Sequence, residues 1–125
     1  MFLDRVFYQN DILEAAMHAA ALRGAVLSNN IANADTPGYK RSEVTFEDSL
    51  ADALTKFRNT GELDLSRCAP GIRAVNTNLS YRKDGNNVDM QTEMVDFYNN
   101  TMRYNSMAQG VMNNYKRMNL ALTLR

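Results

Sequence analysis

The sequence predicts a mainly α-helical protein in which long N- and C-terminal helices pack as a coiled-coil-like pair, with a short middle region between them. Near both ends of the 125-residue chain, apolar residues recur at alternating steps of four and three. That spacing places side chains on one stripe of a helix. The middle of the chain holds too few large apolar residues for a core of its own. We therefore expect only one short helix and one or two short β segments there.

An apolar stripe in the first quarter of the chain predicts a helix from about residue 8 to residue 34. Many of its side chains are small, which lets another backbone approach closely. Gly24 lies within the stripe, where a glycine lowers helix stability by about 1 kcal/mol relative to alanine. Close packing is the usual reason for such a residue. The members of the stripe are Leu13, Met17, Ala20, Gly24, Leu27, Ile31 and Ala34.

The first helix is predicted to end in an elbow within the stretch NNIANADTPGYKR, residues 29–41. A proline disfavours helical geometry at the residue before it, here Thr36. Pro37 and Gly38 suit the two central positions of a type II turn, since the second position requires a positive φ. Side chains expected to satisfy the free backbone groups at this helix end are those of Asn33 and Asp35.

A short helix is predicted after the elbow, in the stretch TFEDSLADALTKFRNTG. Thr45 is the expected N-cap, with Asp48 at the capping-box position, and Gly61 is expected to end the helix. Its apolar face consists of Phe46, Leu50, Phe57 and either Leu54 or Ala53. Farther along, weak alternation predicts one or two short strands or extended segments. The alternating residues are Ile72, Ala74, Leu79 and Tyr81.

The C-terminal stripe predicts a helix of roughly 34 residues, about 50 Å long. Asn87 or Asp89 is the expected cap at its start, and Asp89 with Glu93 places negative charge in its first turns. The stripe consists of Met90, Met94, Phe97, Thr101, Tyr104, Ala108, Val111, Tyr115, Met118 and Leu122.

Neither long helix can bury its apolar face alone in water. They are expected to pair antiparallel within one chain or to pair with neighbouring copies, and periodicity does not separate these alternatives. The eight methionines favour packing between molecules, because Met adapts to varied surfaces. We divide the chain into an N-terminal helix with its elbow (residues 1–41), a small middle region (42–84) and a C-terminal helix (85–125).

Charge is balanced along the chain, with 14 basic and 14 acidic residues. Binders of nucleic acid and of anionic membranes carry surplus positive charge, so we expect neither nucleic acid nor direct lipid anchoring. We identify no uninterrupted apolar run of about 18 residues or more. The stretch AAMHAAALRGAVL is interrupted by His18 and Arg23 and follows an acidic segment, unlike a signal peptide. Export, if it occurs, is expected to proceed without signal cleavage.

No catalytic or metal-binding constellation is apparent. Cys68 is the only cysteine and is interpreted as a small buried filler. His18 is interpreted as structural, held by Glu14 one turn earlier. The stretch DGNNVD lacks the spacing and the closing glutamate of a calcium loop, so we interpret it as a turn. We expect no cofactor, no metal and no enzymatic activity.

Two stretches resemble the family of flagellar rod, hook and hook-associated axial proteins. LSNNIANADTPGYKR is similar to the N-terminal signature of that family, a helix that ends in N-x-A-N-x-x-T-P-G-Y/F-K/R. The C-terminal stretch beginning GNNVDMQTEM also matches, and the two together cover about half the chain. Within the family, the small size and short middle region are closest to the proximal rod proteins. The signature positions are filled by Asn30, Ala32, Asn33, Thr36, Pro37, Gly38, Tyr39 and Lys40.

The resemblance implies a structural subunit of the flagellar basal body in the periplasmic space. Such a subunit is exported by the flagellar type III apparatus and joins a tube that transmits torque and encloses the export channel. Implied partners are other copies, the other proximal rod proteins, the rod-base adaptor, and the export gate with its membrane ring. A free-standing helical adaptor or chaperone that binds partner helices through the Met-rich stripe is the alternative.

Function in such a subunit resides in its interfaces, and the two stripes provide the candidate residues. On the N-terminal helix the predicted assembly interface consists of Leu13, Met17, Ala20, Gly24, Leu27 and Ile31. On the C-terminal helix it consists of Met90, Met94, Phe97, Tyr104, Val111, Tyr115, Met118 and Leu122.

Overall fold

The computed structural model describes the backbone of residues 2–75 and 83–123, and their side chains from residue 7 onward. The elements in chain order are α1 (Phe2–Ala32), β1 (Ser42–Thr45), α2 (Glu47–Thr60), β2 (Gly71–Ala74) and α3 (Met90–Thr123). The predicted mainly helical fold with two long terminal helices is confirmed.

The two long helices pack against each other in antiparallel orientation. Asn10, near the beginning of α1, bonds Asn114 near the end of α3. Asn30, near the end of α1, bonds Glu93 in the first turn of α3. Of the two arrangements that the sequence left open, the chain therefore adopts pairing within one molecule.

The helix bounds follow local signals closely. α3 has the predicted length of 34 residues. The Asp89 carboxylate caps it by accepting the Gln91 N–H at 3.0 Å and the Thr92 hydroxyl at 2.8 Å. α1 begins at Phe2, several residues before the predicted start, because no glycine or proline interrupts the preceding residues.

The predicted N-cap of α2 is wrong. Thr45 is the last residue of β1, and its hydroxyl donates to the Gly71 carbonyl at 3.4 Å. Phe46 occupies the cap position without a side-chain cap bond. Its ring is buried and its carbonyl accepts the Ser49 hydroxyl at 2.7 Å, so strand pairing and burial override the local capping preference. The predicted stop is confirmed, since Gly61 has a φ of 77°.

β1 and β2 form a two-stranded antiparallel sheet in which Val44 lies opposite Ile72. The second strand was predicted through Ile72 and Ala74, whereas Leu79 and Tyr81 lie outside the described residues. The first strand was not predicted, because four residues with no apolar alternation give no strand pattern on their own.

A small core joins the middle region to α1. Phe46, Ala53 and Cys68 pack with Ala19 of α1, and all four side chains are buried. Cys68 is thus the small filler that its sequence context predicts, and its thiol donates to the Ser49 carbonyl at 3.4 Å. Of the two alternatives for the apolar face of α2, Ala53 is buried and Leu54 is exposed. In the described part of the chain, no helix contains an apolar segment long enough to cross a membrane.

Glycine substitutions should separate helical from turn positions. A Cβ at Gly110 in α3 would come no closer than 3.6 Å to the flexible end of Leu13, whereas Gly38 has a φ of 72°. We expect Gly110→Ala to raise the free energy of unfolding by up to about 1 kcal/mol. Gly38→Ala is expected to lower it by about 1–2 kcal/mol. Chemical denaturation of the two variants measures both changes, and equal effects would contradict the assignment of Gly38 to a left-handed turn.

The cross-strand pair Glu43–Arg73 should make stability depend on pH. The hydrogen bond from Arg73 is the main cause that lowers the pKa of Glu43 below its usual value of 4.5. When a group has a lower pKa in the folded state than in the unfolded state, its charged form stabilises the fold at pH values above the unfolded-state pKa. This stabilisation is lost as the pH falls through the folded-state pKa. Arg73→Gln should therefore be less stable than the unchanged chain at about pH 6. We expect this difference in unfolding free energy to shrink as the pH falls below about 4.5. A pH-independent difference would exclude the ion pair as its source.

Candidate assembly interface

A fully buried amide organises the end of α1. Asn30 has no exposed surface, and its side chain makes four hydrogen bonds. Its Nδ2 donates to the Ser42 carbonyl and to Glu93 Oε2, both at 2.8 Å. Its Oδ1 accepts the Ser42 N–H at 3.0 Å and the Tyr39 hydroxyl at 3.2 Å. One side chain thereby fixes α1, the elbow, β1 and α3 relative to one another.

A buried carboxylate meets this amide from the opposite helix. Glu93 retains only 1% of its accessible surface. Arg41 donates through Nε to Glu93 Oε1, while Asn30 donates to the other oxygen. A buried charge requires both a counter-charge and hydrogen bonds, and Glu93 receives both. The acidic residue that the sequence assigned to helix-dipole stabilisation is therefore chiefly a tertiary contact.

Arg41 lies among three carboxylates. Its guanidinium contacts Glu43 at 3.4 Å and Asp96 at 3.9 Å in addition to Glu93. Desolvation disfavours the charged form, but the hydrogen bond with Glu93 and the surrounding carboxylates outweigh it and raise the pKa of Arg41. The cation is thus held charged at the point where the elbow passes into β1.

A second buried amide holds the elbow from the C-terminal side. Asn86 Nδ2 donates to the carbonyls of Asn33 and Ala34 at 3.0 Å and of Thr36 at 2.9 Å. These are backbone groups that the end of a helix leaves without helical partners. Asn86 Oδ1 accepts the Val88 N–H at 2.7 Å, which orders the approach to α3. The DGNNVD stretch is a turn, as predicted, and that turn caps the elbow.

The elbow itself is the predicted tight turn. Gly38 has a positive φ, and the Tyr39 N–H donates to the Thr36 carbonyl at 3.3 Å. Asn33 Nδ2 donates to the Asn29 carbonyl at 2.8 Å, which confirms its expected role at the helix end. The Gly38 N–H donates to the Asp84 carbonyl at 2.9 Å, so the turn is also bonded to the segment before α3.

Further contacts close the junction. Lys40 donates to the Gly85 carbonyl at 2.8 Å. Asn87 does not cap α3; it accepts the Arg41 N–H at 2.7 Å and donates to the Val75 carbonyl at 2.9 Å. The structure therefore brings the N-terminal signature residues together with the GNN segment. The two remaining signature residues, Ala32 and Pro37, lie exposed beside this junction, as do Thr36, Gly38 and Lys40.

The predicted interface residues of α1 lie mainly against α3. Ala20 and Leu27 are buried. The other four, Leu13, Met17, Gly24 and Ile31, are half-buried. Their first partner is thus the chain's own C-terminal helix.

The predicted interface residues of α3 fall into two groups, one packed against the molecule and one exposed to solvent. Phe97, Val111 and Met118 are half-buried against the rest of the molecule. The other five are exposed, namely Met90, Met94, Tyr104, Tyr115 and Leu122. Five of these eight apolar side chains on α3 therefore remain open to solvent.

An apolar hollow of about 280 Å³ combines predicted residues from both helices. Ile31 of α1 and Met94 and Phe97 of α3 line it, together with the exposed ring of Tyr98. The hollow has an apolar lining and lies close to the elbow, so it joins the two groups of predicted residues in one surface.

Sequence reasoning missed the polar side of α3 that faces α1. Glu93, Asn100 and Asn114 are buried, and they share a column of seven-residue spacing that also contains Met107. The apolar search passed over this column because three of its four members are polar. Polar residues at heptad spacing beside an apolar stripe were the available signal.

The residues considered for chemistry do not form a reactive site. His18 is exposed, and no hydrogen bond or ion pair joins it to Glu14 among the described residues, so the structure does not support the predicted contact. The helix surface keeps the ring in solvent. Among the described residues, no group of three or more His, Cys, Asp or Glu side chains could hold a metal ion.

The junction can be tested by an isosteric change. Asn30→Asp would replace the donor to Glu93 with a second carboxylate in the same buried space. We expect the free energy of unfolding to fall by about 3 kcal/mol, because two buried carboxylates would face each other and the one at position 30 would have no counter-charge of its own. Adding Glu93→Gln should restore part of the loss, since an amide at position 93 can donate to the new carboxylate. Chemical denaturation of the unchanged chain, both single variants and the double variant measures this coupling. Additive effects of the two substitutions would contradict it.

The sequence is similar to those of known proteins. A family model described as flagella basal body rod protein matches residues 11–40. That segment contains the whole N-terminal stripe and the elbow as far as Lys40.

Relatives match over most of the chain. The flagellar basal body rod protein FlgB of Buchnera aphidicola subsp. Acyrthosiphon pisum is 32% identical over 117 residues, covering 84% of this chain and 86% of that protein. FlgB of Bacillus subtilis is 31% identical, with coverage of 89% and 90%. FlgB of Salmonella typhimurium is 31% identical, with coverage of 89% and 95%. The chain therefore belongs to the FlgB family of flagellar basal body rod proteins.

Proposed function

We propose that this structural rod subunit assembles with other copies and with other proximal rod proteins into a tube that transmits torque and encloses the export channel. The observation that carries the proposal is the exposed part of the α3 stripe, which begins beside an elbow fixed by buried hydrogen bonds. A rigid junction next to an apolar surface is what repeated stacking of identical units requires.

The exposed surface supports association. Met94 is 45% exposed, Tyr98 65% and Met102 68%, and the three lie on successive turns of one face of α3. Large apolar side chains that lie next to one another in solvent mark interaction sites more often than chance exposure does. Methionine and tyrosine also provide adaptable and amphipathic contact area. A neighbouring helix that covers this surface would remove apolar area from water.

The small core of the monomer supports the same conclusion. Within the described residues, ten apolar side chains are buried, four of them in the cluster beside α1, and most of α3 beyond Tyr104 is exposed or half-buried. A chain with so little buried apolar surface gains further order when neighbours cover it. If each copy contacts the next through different surfaces, the contacts do not close and the product is an open helical tube. Balanced charge limits repulsion between stacked copies.

The three parts of the chain are proposed to divide these tasks. Residues 1–41 and 85–125 would form the axial helices and the elbow that sets their angle. Residues 42–84 would form an appendage on the outer side. Extensive bonding between Asn86 and the elbow supports a fixed angle, because bending would break several buried hydrogen bonds together.

Location and further partners follow from the proposed tube. The subunit would reach the periplasmic space through the flagellar type III apparatus without signal cleavage. At the base of the rod it would contact the adaptor, the export gate and the membrane ring. The relatives support this placement, since they are named flagellar basal body rod proteins.

The alternative of a free-standing adaptor or chaperone is not supported by the relatives described above, which are rod proteins. The family is structural, and the interfaces are the proposed seat of its function. The residues proposed to function in assembly are those of the elbow, Asn30 to Lys40, and the stripe residues of both helices.

Charged substitutions in the apolar hollow should block assembly without unfolding the monomer. We expect Met94→Glu combined with Tyr98→Glu to abolish formation of sedimenting polymer and to abolish motility in a bacterium that lacks its own rod subunit. Because both side chains are exposed, the free energy of unfolding should change by less than about 0.5 kcal/mol.

Ile72→Glu provides the matched control. Ile72 is 60% exposed but lies in β2, away from both stripes. We expect this variant to assemble and to support motility. Full motility with the double variant, or equal loss with the control, would contradict an interface at the hollow.

A further inference from the structure

Three buried polar contacts connect α1 and α3 along their length. Asn114 donates to Asn10 Oδ1, Asn100 donates to the Ala20 carbonyl and Asn30 donates to Glu93 Oε2, each at 2.8 Å. Each side chain involved is 6% exposed or less. We call these contacts the amide ladder. We propose that the amide ladder specifies which helices pair and in which register.

Apolar contacts alone would not define the register. The stripes of both helices repeat every seven residues and contain small or flexible side chains, including Ala20 and Gly24 on α1 and Met118 on α3. A slip by one heptad, about 10 Å along the axis, would bring similar side chains into contact again. Methionine adapts to such changes without a large penalty.

The ladder distinguishes between the registers because its contacts are unevenly spaced. Its positions on α1 are separated by ten and ten residues, whereas those on α3 are separated by fourteen and seven. A slip in one direction would place Asn10 opposite Met107 and bring Glu93 towards the Ala20 carbonyl. The first amide would then be buried without a partner, and two acceptors would face each other. Such buried unpaired groups destabilise a helix pair more than a formed hydrogen bond stabilises it.

A slip of one heptad in the opposite direction is also unfavourable. It would leave Asn30 near Asn100, where one amide contact could form, but Asn114 would leave Asn10. Arg41 would lose the carboxylate of Glu93, which its guanidinium now contacts. The register in the structure is the one that satisfies all three contacts together.

The contact made by Asn100 indicates that the ladder contributes more to the choice of register than to stability. Asn100 Oδ1 is buried and has no hydrogen-bond partner among the described residues. An amide with only its donor satisfied contributes little net stability, because its acceptor has lost water. Gly24 leaves room for this side chain, since a Cβ there would lie 3.4 Å from Asn100 Nδ2. Buried polar residues at heptad positions are known to fix register at a cost in stability.

Such a device has a specific use in this protein. A rod brings many copies of the same two helices close together, so α1 of one copy meets α3 of its neighbours. Apolar stripes that accept any partner would allow exchanged or shifted pairs. The amide ladder would restrict α1 to its own α3 and leave the exposed apolar part of α3 for neighbours.

The test replaces the ladder with apolar side chains of similar size. The variant carries Asn10→Leu, Asn100→Leu and Asn114→Leu, and the Asn30–Glu93 contact is left intact. Spin labels are attached at His18→Cys and Asn105→Cys, both exposed positions, in a Cys68→Ala background. Labelled chains are diluted about tenfold with unlabelled chains of the same sequence, so that each measured distance lies within one molecule. Dilute protein is used, and the result therefore does not depend on rod assembly.

We expect one narrow distance in the labelled chain with its ladder intact. The ladder variant should show a second population, displaced by about one heptad or lost to pairing between molecules, and its melting temperature should not fall. Met107→Leu, a half-buried change on the same face, should keep the single distance. A single narrow distance in the ladder variant would overturn the proposal. Unfolding of that variant would also overturn it, because the ladder would then provide stability and not register.

Discussion

The buried carboxylate of Glu93 imposes the constraint on which most of the structure depends. A charge without solvent requires a counter-charge and hydrogen-bond donors on several sides. Arg41 supplies the charge and Asn30 supplies a donor, and they come from the two sides of the elbow. Satisfying one carboxylate therefore fixes the end of α1, the start of β1 and the first turn of α3 at once. Asn30 extends this constraint, since the rest of its amide bonds the backbone of Ser42.

The helix pair combines a polar inner seam with an apolar outer face. In an ordinary two-helix core the large apolar side chains would lie between the helices. Here small residues of α1 and asparagines of α3 occupy much of that space, while Met94 and Tyr98 face solvent. Much of the apolar surface of α3 therefore lies outside the core of the monomer, where the proposed contacts with other subunits would remove it from water.

The signature at the elbow acquires a physical meaning from its partners. Thr36, Pro37 and Gly38 form the turn, which is a local property of these residue types. The carbonyls that the turn exposes are bound by Asn86, about fifty residues later in the chain. Two separate stretches of sequence therefore form a single junction, and each is incomplete without the other. Bending a junction bonded in this way would break several buried hydrogen bonds together.

The sequence by itself determined the two long helices, the elbow between residues 33 and 39, the glycine that ends α2 and the buried filler Cys68. Each of these follows from periodicity, turn chemistry or side-chain size, which act over a few neighbouring residues. Tertiary structure alone decided that Thr45 would end a strand instead of capping α2, and that Asn87 would join Arg41, just before β1, to Val75, just after β2. It also placed Glu93, Asn100 and Asn114 inside the helix pair. Those outcomes depend on groups far apart in the chain, because a buried polar side chain takes whatever partner the fold brings within hydrogen-bonding distance.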